Sequence, residues 1–130
     1  MFRTGMTVVA LYAIGFGVPA SLAPDLVYGL FGGGFPDDFT RAIARLHASV
    51  AVGLGSIAWL ARGVVAADGQ RAVALGGAVG LGLVGAWQAV AAANGVGNAL
   101  VWGSAATHAV LAAWLVFTQI AARRTFEAPA

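Results

Sequence analysis

The chain contains no cysteine, no lysine and few charged residues of any kind. The lack of cysteine excludes disulfides, thiolate metal ligands and cysteine redox relays. Charged side chains make up 9% of the 130 residues and hydrophobic ones 60%, whereas soluble domains carry about a quarter charged residues. The net charge of +2 comes from scattered arginines, so we expect no nucleic-acid partner. The composition predicts a membrane protein.

Four long apolar segments follow one another along the chain. Each is about 20 residues long, which at 1.5 Å rise per residue spans the ~30 Å hydrocarbon core of a bilayer. The predicted helices run roughly from residues 4 to 22, 39 to 61, 72 to 93 and 99 to 122. Because the last two connectors are short, consecutive helices should be antiparallel. The sequence therefore predicts an all-α fold in which residues 1 to 130 form one antiparallel bundle of four transmembrane helices.

A short additional helix is predicted between the first and second of these segments. Pro24 and Asp25 suit a helix start, because proline at the first position loses no hydrogen bond and a carboxylate favours the positive end of the helix dipole. Leu26, Leu30 and Phe31 then fall on one side, and a run of three glycines follows. We expect this helix to lie in the membrane interface.

The distribution of arginine predicts the orientation in the membrane. Positively charged residues in short loops accumulate on the cytoplasmic side. One side of the predicted bundle carries five arginines, namely Arg3, Arg62, Arg71, Arg123 and Arg124. The other side carries Arg41 and Arg45 together with three aspartates. We therefore expect a bacterial inner-membrane protein with both termini and the middle connector in the cytoplasm.

Small residues in the third predicted helix indicate where helices approach each other. Close backbone approach drives association in lipid, and this helix carries Gly76, Gly77, Gly80, Gly82 and Gly85. The segment from residue 80 to 85 also matches the pattern G-x-G-x-x-G. A dinucleotide site requires that pattern at a strand-to-helix turn, so we interpret the glycines as packing positions, including Gly80.

Polar side chains from all four predicted helices gather in the outer half of the bundle. With the helices in register, the predicted inward-facing and ligand-binding residues are Tyr12, Arg45, Ser49, Gln88, Ser104 and His108. At 100° per residue, His47 lies nearly opposite the stripe that contains Arg45 and Ser49, so Arg45 and His47 cannot both face the bundle axis. The sequence leaves open whether His47 faces the bundle or lipid.

Structural roles compete with ligand binding for these residues. Arg45 either holds an anionic or carbonyl-bearing ligand, or reaches the interface and pairs with a loop aspartate. His108 either binds a ligand or is a neutral histidine bonded between helices. Because His47 and His108 lie on different helices, they are also candidates for the two axial ligands of a haem. However, they lie on different faces, and no third metal ligand accompanies them. We therefore expect neither haem nor a metal ion here.

The segment LAPDLVYGLFG, the acidic turn after it and TRAIARLHASVAVGLGSIAWLARG carry a family resemblance. In hydropathy and in these motifs the chain resembles the DoxX-like small four-helix bacterial membrane proteins. The matching features are Pro24, Leu26, Phe31, Arg41, Arg45 and Gly53. The family's members are mostly of unknown activity, and some are implied to be membrane subunits of quinone-linked oxidoreductases. The resemblance implies a quinone or lipid-like partner near the outer polar cluster and assigns no catalytic residue.

These observations predict a small accessory or ligand-binding membrane protein that is not catalytic on its own. It would bind a quinone-like or lipid-like molecule in the outer half of the bundle, either as a homo-oligomer or as a subunit of a membrane complex. Two alternatives remain open. One is a haem- or quinone-dependent redox subunit of a membrane oxidoreductase, and the other is an oligomeric channel or transporter.

Overall fold

The computed structural model describes the backbone of residues 1–126 and the side chains of residues 1–120. This part of the chain is helical and contains no β-strand. The helices are α1 (Phe2–Leu22), α2 (Pro24–Leu30), α3 (Asp38–Ala61), α4 (Ala67–Ala93) and α5 (Ala99–Phe126). The predicted all-α fold is confirmed, with a short helix between the first and second long ones.

Within residues 1–126, four helices are long and apolar enough to cross a membrane. The candidate spans are Phe2–Leu22, Asp38–Ala61, Ala67–Ala93 and Ala99–Ile120. Few of their side chains are buried inside the protein, and their outward faces carry leucine, valine and tryptophan, which suit a hydrocarbon environment. The protein is a multi-pass membrane protein built as a four-helix bundle.

Local sequence signals explain where the helices begin. The Asp37 carboxylate accepts a 2.7 Å hydrogen bond from the backbone N–H of Thr40 and caps α3. The bonds from Thr40 favour the ionised carboxylate and hold the pKa of Asp37 below its ordinary value. Helix α4 begins at Ala67, whereas the sequence predicted a start near Ala72. The prediction missed the first turn because that turn is polar and the helix was located by its apolar residues.

The bundle consists of two tightly packed antiparallel pairs, α1 with α3 and α4 with α5. A Cβ added at Gly17 of α1 would lie 2.7 Å from the backbone oxygen of Ala48 in α3. A Cβ added at Gly85 of α4 would lie 3.1 Å from the Cβ of His108 in α5. Glycine thus permits close backbone approach in both pairs.

The glycines of α4 do not all serve this contact. Gly77 and Gly85 face α5, where an added Cβ would meet Leu115 or His108 at 3.1 Å. A Cβ at Gly76, Gly80 or Gly82 would meet no described atom within 4 Å. The prediction that Gly80 packs against a helix is therefore wrong, because the helix face toward α5 passes through the other two positions.

The two pairs share an apolar core at one end of the bundle, the end that contains the N terminus of α1. Residues from all four long helices form it, namely Phe2, Met6, Ala10, Ala58, Ala61, Ala74, Ala78 and Leu115. Met6 and Leu115 are among the largest fully buried side chains of the described residues. Burial of this apolar core joins the two pairs into one bundle.

At the opposite end, α2 and the loop after it fold over α1 and α3. Aromatic rings pack edge to face there, with Tyr28 centred 5.4 Å from Phe35 and 6.1 Å from Phe16. The Arg41 guanidinium bonds to Asp25 of α2 at 3.1 Å and also to Asp38. We call α2 and the loop to Phe35 the outer cap, because the arginine distribution predicts that this end faces away from the cytoplasm.

Asn98 joins this outer cap to the other helix pair. Its backbone N–H donates to the Phe31 carbonyl and its side-chain amide donates to the Leu30 carbonyl, both at 2.9 Å. Its side-chain oxygen also accepts from the backbone N–H of Leu100 and so caps α5. One residue therefore links the α4–α5 turn to the segment between α1 and α3.

Candidate functional site

The structure separates the predicted site residues into three places. Arg45 and Ser49 lie on the outer surface of α3, and both are exposed. Tyr12 and His108 contact each other between α1 and α5. Gln88 lies elsewhere, on the wall of a groove between α3 and α4.

The predicted inward orientation of Arg45 and Ser49 is wrong. The buried face of α3 consists of small residues that contact α1, including Ala44 and Ala48. The Ser49 hydroxyl is satisfied within its own helix, where it donates to the Arg45 carbonyl at 2.9 Å. Arg45 forms no ion pair with any described residue, whereas Arg41 holds the aspartates instead. A hydroxyl that donates to its own helix, as that of Ser49 does, needs no hydrogen-bond partner inside the bundle.

His108 and Tyr12 form a polar contact within the bundle. The His108 Nδ1 atom lies 2.8 Å from the Ser104 carbonyl oxygen, so Nδ1 carries a proton and donates to it. The Tyr12 hydroxyl lies 3.4 Å from the same nitrogen, and the two rings meet edge to face with centroids 5.2 Å apart. The structure places His108 of α5 beside Tyr12 of α1, whereas the contact with Ser104 is a bond to the backbone of the same helix. Because Nδ1 already donates to the Ser104 carbonyl, it cannot accept the Tyr12 proton, and it is the edge-to-face packing of the two rings that joins α1 to α5 here.

Gln88 lies on the packing face of α4. The face passes through Ala74, Ala78, Leu81 and Gly85 at alternating spacings of four and three residues, and Gln88 is the next member. Its Oε1 atom is buried and has no hydrogen-bond partner among the described residues. A buried amide oxygen without a donor costs about 1–3 kcal/mol. The atom has almost no accessible surface, so only a turn of the amide side chain would bring it into contact with a molecule beside the helix.

A groove between α3 and α4 runs beside Gln88. Its volume is about 360 Å³, and it is lined by His47, Leu83, Val84, Trp87, Gln88 and Ala91. The lining is mostly apolar, with Gln88 and His47 as its polar groups. The groove is open on one side, where Trp87 and Leu83 are largely exposed. It can therefore be entered from the surrounding hydrocarbon.

His47 is the residue of this groove that the sequence reasoning missed. It lies on the flank of α3 that borders α4, and its side chain, like that of Arg45, is exposed. Its Nδ1 atom lies 3.4 Å from the hydroxyl of Tyr28 in the outer cap. Burial raises the pKa of that hydroxyl, so Tyr28 remains a neutral phenol beside the histidine. The signal that could have found His47 was the alanine and glycine face of α3, which sets the helix rotation better than the serine stripe.

The two histidines do not converge on a common ligand. His47 lines the α3–α4 groove, whereas His108 packs against Tyr12 between α1 and α5. Among the described residues, no group of three histidine or acidic side chains could hold a metal ion. The geometry therefore offers no pair of axial haem ligands, and the polar groups of the groove suit hydrogen bonding to an organic molecule instead.

Comparison of the chain with protein-family models, with curated proteins and with solved structures gives no match. The fold and the groove thus define the protein by class, as a four-helix multi-pass membrane protein with a laterally open groove between α3 and α4. The resemblance to DoxX-like proteins stays a prediction from sequence.

Proposed function

We propose that this protein binds a lipid-like molecule with a hydrogen-bonding head, such as a quinone or its quinol, in the groove between α3 and α4. The observation that carries the proposal is the buried Oε1 atom of Gln88, which has no partner among the described residues and belongs to a side chain lining the groove. A head group in the groove would supply the missing hydrogen bond once the Gln88 amide turns toward the groove, and the bundle provides apolar walls beside it.

The hydrogen-bonding groups define the chemistry of the head. An amide oxygen accepts, so the matching group of the ligand is a donor such as a quinol or lipid hydroxyl. His47 either donates or accepts through its ring nitrogens, and the neighbouring Tyr28 hydroxyl orients the ring. The site therefore suits a molecule whose head presents a hydroxyl to Gln88 and a second polar atom to His47.

The walls of the groove define the rest of the ligand. Leu83, Val84, Trp87 and Ala91 are apolar, and exposed leucine and tryptophan side chains continue this surface outward. A polyprenyl or acyl tail would lie along them and extend into the bilayer. A quinone-like or lipid-like ligand is also what the resemblance to DoxX-like proteins implies. We assign the protein an accessory role in the bacterial inner membrane, in which it holds its ligand for a partner enzyme.

The experiment compares bound molecules in the wild type and in Gln88→Met. Methionine keeps the length of the side chain and removes the amide. Solvent extraction of the purified protein followed by mass spectrometry should find a quinone or lipid in the wild type and a loss of about tenfold in the variant, because one hydrogen bond to a buried polar group is worth about 1–2 kcal/mol. A difference spectrum upon borohydride reduction distinguishes a quinone from a phospholipid.

The matched control is Gln119→Met. Gln119 is half-buried at the other end of the bundle and donates to the Thr118 hydroxyl at 3.2 Å. This variant should retain the wild-type amount of ligand. A wild-type protein that contains no bound molecule contradicts the proposal. So does a Gln88→Met variant that is more stable than the wild type and retains its ligand, because Gln88 is then only a poorly satisfied core residue.

A further inference from the structure

A second cavity lies at the opposite end of the bundle from the proposed ligand groove. Its volume is about 510 Å³, and its wall includes Arg3 of α1, Trp59 of α3 and Gln70 of α4, together with the connector from Arg62 to Val65. Gln70 donates to the Val64 carbonyl at 2.8 Å, which holds the connector against the start of α4. The cavity is therefore framed by three helices and an ordered connector.

The charge of this cavity is positive and is not balanced within the described chain. Arg3 and Arg62 form no ion pair with any described residue. The Arg62 guanidinium lies 3.3 Å from the centroid of the Trp59 ring, and this stacking holds it at the cavity. A guanidinium so placed keeps donors available for an anion, because stacking uses the face of the group and not its N–H edge.

The rim of the cavity is apolar. Leu60 and Val65 are 77% and 89% exposed, and both belong to the cavity wall. Trp59, which stacks on Arg62, also lines the cavity, and tryptophan is enriched at membrane interfaces. The combination of paired arginines with an exposed apolar edge matches a molecule that carries both a phosphate and acyl chains.

We infer that this cavity binds the phosphate of an anionic phospholipid, held between Arg3 and Arg62, with its acyl chains over Leu60 and Val65. Basic pockets between transmembrane helices are suited to such head groups. The site is distinct from the α3–α4 groove in position and in chemistry, since it selects for negative charge and the groove for a hydrogen-bond donor. The lipid would brace the α3–α4 connector at the face predicted to be cytoplasmic.

Native mass spectrometry of protein taken from vesicles of equal phosphatidylglycerol and phosphatidylcholine tests this site. The wild type should retain phosphatidylglycerol in preference. Arg62→Gln and Arg3→Gln should each reduce that preference about fivefold, as expected for one arginine near an anionic lipid. Arg62→Lys keeps the charge but loses the planar stacking on Trp59, so its preference should lie between those of the wild type and Arg62→Gln. Melting curves of the variants separate loss of binding from loss of folding.

Arg71→Gln is the matched control. Arg71 is exposed on the first part of α4 and does not line the cavity. Equal retention of the two lipids by the wild type, or an equal loss in Arg71→Gln and Arg62→Gln, contradicts the inference and indicates a diffuse attraction of the whole face. Inorganic phosphate alone serves as the second arm. A rise in melting temperature with phosphate and none with phosphatidylglycerol would contradict a lipid and identify a soluble phosphate as the occupant.

Discussion

At the scale of single residues, the contact between α1 and α3 depends on the absence of a side chain at Gly17. An added Cβ would lie 2.7 Å from the Ala48 backbone oxygen and 2.9 Å from the Val52 backbone nitrogen. Neither backbone atom can move aside without displacing the helix. Gly15, two residues earlier on α1, is exposed, and its added Cβ would meet no described atom within 4 Å. These two glycines form a matched pair.

We predict that Gly17→Ala lowers the free energy of unfolding by about 1–3 kcal/mol, as overpacking of a filled contact does. Gly15→Ala should leave stability unchanged or raise it slightly, because alanine favours a helix over glycine. Melting temperatures in detergent measure both. If Gly17→Ala melts with the wild type, the close approach of α1 and α3 at this level does not exist.

The polar residues show what sequence could and could not predict at this scale. The depth of His108, Ser104 and Tyr12 followed from counting residues along each helix, and the structure places them together. The direction of Arg45 could not be predicted from its serine stripe. The serine hydroxyls on that stripe donate to carbonyls of their own helix, so they do not need to face the bundle interior. The same misplaced rotation of α3 kept His47 out of the predicted site, although its flank borders α4.

At the scale of helices, the apolar runs predicted the number of spans and most of their ends, but missed the polar start of α4. The end of α1 at Leu22 and the start of α2 at Pro24 follow from proline and from the acidic first turn. What the runs could not predict is the rotation of each helix, because lipid-facing and protein-facing sides are both apolar. Rotation is instead set by small residues, such as Gly77 and Gly85 on α4.

The connection between the helix pairs at the outer end yields a second prediction. Asn98→Ala removes the side-chain bond to the Leu30 carbonyl and the cap of α5, while the backbone bond to Phe31 remains. We expect a loss of about 1–2 kcal/mol in unfolding free energy. Hydrogen exchange of α2 should also accelerate, because the outer cap loses an anchor.

Asn94→Ala is the control for this variant. Asn94 lies in the same turn and donates to the Val90 carbonyl of its own helix at 2.8 Å, so it does not connect the two pairs. Its replacement should leave hydrogen exchange in α2 at the wild-type rate. Equal exchange in Asn98→Ala and Asn94→Ala would show that the outer cap is held by α1 and α3 alone.

At the scale of the whole molecule, the two ends of the bundle differ in charge and in packing. The end with the N terminus and the α3–α4 connector carries Arg3, Arg62 and Arg71, all without ion pairs to described residues. At the other end, Arg41 is neutralised by Asp25 and Asp38. The pairing makes the charge difference between the ends larger than the arginine count alone indicates. The rule that predicts orientation counts every loop arginine, whether or not an aspartate pairs with it. The orientation is therefore best tested by a direct measurement.

The absence of native cysteine permits that measurement with single substitutions. Asp68 is exposed near the start of α4, and Gly34 lies in the outer cap loop, where an added Cβ meets no described atom within 4 Å and the backbone φ is not positive. In intact cells, an impermeant maleimide should label Gly34→Cys and leave Asp68→Cys unmodified until the membrane is permeabilised. The cysteine-free wild type gives the background. Labelling of Asp68→Cys in intact cells, with Gly34→Cys protected, would show that the molecule has the opposite orientation. The phosphate cavity would then lie in the outer leaflet.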